Sequence, residues 1–165
     1  MTPILFWLFA ALAVVSAGFV VAKRSPLGSA LALAINMVAL AGLFAGLSAA
    51  FLFVIQLLVY AGAVVVLIVF VIMLLNLGEE EARGALVPRA KLLIASLVCV
   101  LATALVVRAV MASPLPAPVE PPPGFGGIEA IAGEIFTRYL LPFEIMGVLL
   151  LVGLIGAVVL ARKGE

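Results

Sequence analysis

Residues 50–76 read AFLFVIQLLVYAGAVVVLIVFVIMLLN, 27 positions without a charge. As a straight helix at about 1.5 Å per residue this run is roughly 40 Å long, against a hydrocarbon core of about 30 Å. It must tilt, bend or project. Gln56 and Tyr60 stand one helical turn apart inside it, and Gly62 precedes the β-branched Val64, Val65 and Val66. Glycine loosens a helical backbone and valine restricts χ1, so an irregularity at Tyr60 to Gly62, a π-bulge or hinge, is one reading. The other is an ordinary membrane helix, in which tyrosine and close-packing glycine are both common.

The rest of the chain agrees that the solvent is lipid. Of 165 residues 67% are hydrophobic and 10% charged, where soluble domains carry about a quarter charged residues. No basic stripe interleaved with aromatics exists, which excludes nucleic acid as a partner. There is no His, no Asp and a single cysteine, Cys99, read as a small buried hydrophobe. Those absences leave no catalytic residue, metal site or cofactor site of the chain's own to assign. Any redox chemistry belongs to other polypeptides.

Five spans follow from apolar length: about 2–22, 27–47, 50–76, 92–111 and 140–161 in one membrane domain. The predicted fold class is therefore an all-α integral membrane protein with five transmembrane helices. The first run has its cations, Lys23 and Arg24, behind it rather than in front, so it reads as a retained helix and not a signal peptide. Ser25-Pro26 is an N-cap followed by proline at the first helical position. Asn36 needs a partner in hydrocarbon, and Gly42 and Gly46 allow close helix approach. Ser48 to Ala50 must then hold a turn.

Between the spans, 78–91 is a polar loop with Glu79, Glu80 and Glu81, and Arg108 is a snorkelling anchor. The proline- and glycine-rich outer segment 112–138 predicts extended chain, followed by a short surface helix at Ile128 to Phe136. Glu144, the carboxylate inside the last span, either meets water and the helix N-terminus or serves an ion path. Gly147, Gly153 and Gly156 suggest a packing face. With the N-terminus outside and the C-terminus cytoplasmic, seven of nine cations fall on the inner side and two, Arg108 and Arg138, outside.

Three blocks carry a resemblance: SPLGSALALAINMVALAGLF at 25–44, FLFVIQLLVYAGAVVVLIVFVIMLLNLG at 51–78, and YLLPFEIMGVLLLVGLIGAVVLARK at 139–163. The chain resembles the J-type membrane subunit of respiratory complex I, the proton-translocating NADH:quinone oxidoreductase, whose mitochondrial counterpart is NADH dehydrogenase subunit 6. The V-Y-A-G-A block followed by V-I-M-L-L-N is the most specific part; the fourth helix matches loosely, and no site is carried onto it.

That resemblance implies a non-redox subunit lying between the quinone-reducing arm and the antiporter-like pumps of a bacterial cytoplasmic membrane. Its neighbours would be K-type, A-type, H-type and N-type subunits, with NAD, FMN, iron–sulfur clusters and quinone held on partner chains. It also implies a π-bulge at Tyr60, Ala61 and Gly62 whose rotation couples quinone reduction to proton translocation. On this reading Tyr60 hydrogen-bonds, Gly62 permits the backbone change and Gln56 is a polar neighbour on the same face. Val64 to Leu67 close an apolar plug, and Glu144 completes the residues lining the proton path. The alternatives are the equivalent subunit of a related hydrogenase or other dehydrogenase, a purely structural assembly subunit, and a self-sufficient channel.

Overall fold

A computed structural model describes residues 3–23, 25–75, 89–112 and 121–162, without the side chains of 89–92. The described chain is all helical. Helix α1 covers Pro3–Ala22, α2 Pro26–Gly46, α3 Ala50–Leu75, α4 Arg89–Ala112, α5 Ile128–Thr137 and α6 Leu140–Ala161. All but α5 are long and apolar enough to cross a bilayer. The acidic run at 79–81 and most of the polar loop lie outside the described residues. Where 89–91 had been expected in that loop, the chain is already helical from Arg89, because a helix need not end where the apolar run does.

Packing is organised on α2, which lies against α1 on one side and the length of α3 on the other. The start of α2 is set as the sequence predicts: the Ser25 hydroxyl accepts from the Gly28 N–H at 3.3 Å, with Pro26 at the first helical position. The buried positions of α2 are small, Ala30, Ala32, Ala39, Ala41 and Gly42. Small residues let backbones approach where no hydrophobic effect drives association. At Gly42 the approach is complete: a Cβ there would stand 2.4 Å from the Phe9 ring.

Asn36 finds its partner across this contact. Its amide donates to the Ala13 carbonyl at 2.7 Å and to the Ser16 hydroxyl at 3.1 Å, while that hydroxyl donates to Leu12 O at 2.6 Å. Among the described residues no buried side-chain nitrogen or oxygen lacks a partner. Among the described residues most large apolar side chains are exposed, and none is completely enclosed.

The α2–α3 turn closes as a Schellman motif: Ala49 N–H bonds Phe44 O at 3.0 Å and Ser48 N–H bonds Ala45 O at 3.2 Å. Ser48 takes the left-handed position at φ 61°, which glycine fills more cheaply. Against this turn sits the Pro121–Gly127 segment. It is not the extended chain expected but two successive turns, Phe125 N–H to Pro122 O and Gly127 N–H to Gly124 O, both 3.0 Å. Gly124 (φ 82°) and Gly126 (φ 71°) occupy the third position of each, where a type II turn requires positive φ. Gly126 O then accepts the Phe51 N–H at 2.9 Å, taking up one of the free donors at the head of α3.

Helix α5 forms as predicted and packs on the start of α3 and on α6, with Phe136 and Phe143 edge to face at 5.2 Å. Among the described elements α6 touches α5 alone, and α4 touches none. Gly147, Gly153 and Gly156 accordingly meet no other described helix of this chain. Cys99, expected to be buried, is exposed on α4 for the same reason.

Two outcomes follow from these contacts. Asn36→Leu removes the cross-helix donor and should weaken α1–α2 association by about 1 kcal/mol, read as a lower melting midpoint of the detergent-solubilised assembly. Gly126→Ala places a methyl 2.2 Å from Ser48 O and strains a positive φ, so tryptic cleavage after Arg138 should accelerate severalfold as the clasp on α3 opens.

Candidate functional site

Helix α3 changes its winding midway. Ala50–Ile55 is α-helical, Gln56–Val64 is π-helical, and Val65–Leu75 is α-helical again. At the exit the Val65 N–H bonds Tyr60 O, five residues back. Nine residues is long for a geometry usually confined to one turn. The predicted centre, Tyr60 to Gly62, lies inside it, and the irregularity reaches back to Gln56.

Both ends are held by α2. Gln56 is 8% exposed and its amide donates to the Met37 sulfur at 3.2 Å, a weak acceptor. Val65, 4% exposed, is the buried residue where α-winding resumes. Between these points the chain faces outward: Tyr60 is half-exposed, Gly62 and Val64 are exposed, and Ala61 is partly covered. A Cβ on Gly62 would stand 3.3 Å from the Leu57 carbonyl, five residues earlier, so the wide turn leaves little room there for a side chain.

Gln56 and Tyr60 do not share surroundings, contrary to the same-face expectation. Gln56 is buried against α2 while Tyr60, four residues on, is half-exposed. Among the described residues the Tyr60 hydroxyl has no hydrogen-bond partner. Leu67 is exposed on the α-helical half beyond. Glu144 is exposed in the first turns of α6, which does not pack on α3, so this chain does not bring it to the π segment.

Met37 was not singled out in the sequence, and Gly126 only as one of the glycines of the proline-rich segment. Met37 carried a signal, since it adjoins Asn36 on a helix already required to face protein; Gly126 is recognisable only through its turn. Among the described residues no three of His, Cys, Asp and Glu come together. What the arrangement shows is a backbone that passes from α to π and back to α winding along one helix. Converting π to α shifts everything downstream by one residue, a rotation of about 100° at 3.6 residues per turn. Val65 would then leave the α2 contact and a neighbouring valine would enter it.

The family model described as NADH-ubiquinone/plastoquinone oxidoreductase chain 6 matches residues 16–160. Subunit J of the F(420)H(2) dehydrogenase of Methanosarcina mazei is 42% identical, over 97% of this chain and 90% of its own length. NADH-quinone oxidoreductase subunit J of Rhodobacter capsulatus is 36% identical, covering 96% and 80%. NAD(P)H-quinone oxidoreductase chain 6 of a Nostoc species is 37% identical, covering 96% and 78%. These matches run through every span, the π segment included, and the chain belongs to the NADH-ubiquinone/plastoquinone oxidoreductase chain 6 family.

Proposed function

We propose that this chain is a coupling subunit of a complex I-type NADH:quinone oxidoreductase, in which α3 changes winding as quinone is reduced on neighbouring chains. The observation that carries the reading is the nine-residue π stretch, anchored to α2 at Gln56 and Val65 and free in between. A two-state element gives the coupling a physical carrier. In one winding Tyr60 and Val64 to Leu67 form a dry apolar plug. In the other water enters, and protons pass between carboxylates of partner subunits, since charge in a dry path is costly.

Tyr60 supplies a hydroxyl to that water, Gly62 allows the backbone to rewind, and Gln56 marks the fixed point from which the turn begins. Glu144 meets the path from α6 only within the assembled membrane arm. Flavin, iron–sulfur clusters, nicotinamide and quinone belong to the other subunits, and the K-, A-, H- and N-type membrane subunits are its neighbours. The excess of cations on one side supports an N-terminus outside and a C-terminus in the cytoplasm, in a bacterial membrane on this reading.

A second reading keeps the coupling and changes the donor. The F(420)H(2) dehydrogenase relative is 42% identical over nearly the whole chain. A membrane subunit remote from the electron input fits either machine, and the flanking genes distinguish them.

Gly62→Val is the test. A branched side chain beside Leu57 O disfavours one winding, so in vesicles holding normally assembled complex the protons pumped per electron should fall severalfold while quinone reduction persists. If both activities fall only in proportion to assembly, the subunit is purely structural. Unchanged pumping with normal assembly overturns the coupling role.

A further inference from the structure

On the outer flank of the α1–α2 pair, away from the π segment, runs an open groove of about 460 Å³. Leu12, Val15 and Phe19 line it from α1, Leu31 and Ile35 from α2, and Lys23 stands at its mouth. The α1 residues and those of α2 each recur at helical spacing, so the groove follows the helix axes. From Lys23 to Leu12 it extends about 16 Å at 1.5 Å per residue, which is half of a hydrocarbon core of about 30 Å.

Its polar atoms are already spent. The Ser16 hydroxyl donates to Leu12 O and receives the Asn36 amide, and the neighbouring Ser29 hydroxyl donates to Val20 O. The walls that remain are apolar. Lys23 folds back along the groove, its ammonium 5.9 Å from the Phe19 ring centroid and its stem beside Gly28.

We propose that this groove binds one acyl chain of an anionic phospholipid, whose phosphate pairs with the Lys23 ammonium. Three features select that occupant. The groove is one leaflet deep, which suits an acyl chain, whereas a partner's transmembrane helix needs a seat across both. Apart from the Lys23 ammonium at its mouth, the lining offers no free hydrogen-bonding group to a polar ligand. The cation lies at the level of the lipid headgroups, where long basic side chains meet lipid phosphate. The site requires only that α1 and α2 span a bilayer and is independent of the winding of α3.

The experiment uses the intact assembly, reconstituted in vesicles with phosphatidylglycerol or phosphatidylcholine carrying a photoactivatable group on the acyl chain. Labelled peptides are mapped by mass spectrometry. In the native assembly phosphatidylglycerol should label the groove about fivefold more than phosphatidylcholine, the preference that one lysine at the headgroup level supports. Lys23→Gln should bring the two lipids to parity without loss of assembly, and Leu31→Trp should fill the groove and reduce labelling by both. Equal labelling by the two lipids in the native assembly overturns the proposal. So does capture of a neighbouring polypeptide, in place of lipid, by a photoreactive amino acid at position 31. Gly62→Val should leave the lipid preference unchanged, so failure of the coupling role and failure of the lipid site are told apart.

Discussion

Hydrocarbon offers no water to a broken hydrogen bond, so a membrane helix that must move cannot simply come apart. Each unpaired backbone group would cost several kcal/mol. The π segment of α3 keeps its backbone paired in a different register: the Val65 N–H bonds Tyr60 O instead of Ala61 O. A flexible joint in water needs only slack, whereas one in lipid needs two complete bonding patterns. The positions that tolerate both are those with little side chain in the way, which is why Gly62 sits with Leu57 O so close.

Such a segment is useful only if its ends are held, and α2 holds them. That helix presents alanine and glycine to its neighbours, which brings α1 near enough for Asn36 to reach a backbone carbonyl and lets α3 lie alongside. Small residues and one amide thus perform the work that a core of leucine and phenylalanine performs in water. The opposite end of the arrangement is the Gly126 clasp, which fixes the head of α3 from outside the span. The π-wound stretch thus lies between a fixed entry and a buried valine.

Much of this architecture was legible in the residues. Apolar length marked the five spans, Ser25-Pro26 marked the entry of α2, and Asn36 demanded a polar neighbour because nothing in lipid would satisfy it. The irregularity of α3 was centred correctly at Tyr60 to Gly62. Its extent was not, since the upstream limit depends on Gln56 lodging against Met37, a contact between helices that no local pattern encodes. The tandem turns at Pro122 to Gly127 were misread as extended chain: proline density suggested an open segment, while the glycines two apart, each at a third turn position, specified the fold. The turn at Ser48 was read, but not its left-handed conformation, which is imposed by the helix on either side and not by the residue's own preference. Cys99 was misplaced for a more general reason. Apolar character predicts burial in water, but in a membrane chain it is equally the mark of a residue facing outward.

Two of the five spans, α4 and α6, are left without any helix of α1–α3 to lean on. Among the described residues their apolar faces are left open, and the family to which the chain belongs implies other subunits of the complex as partners.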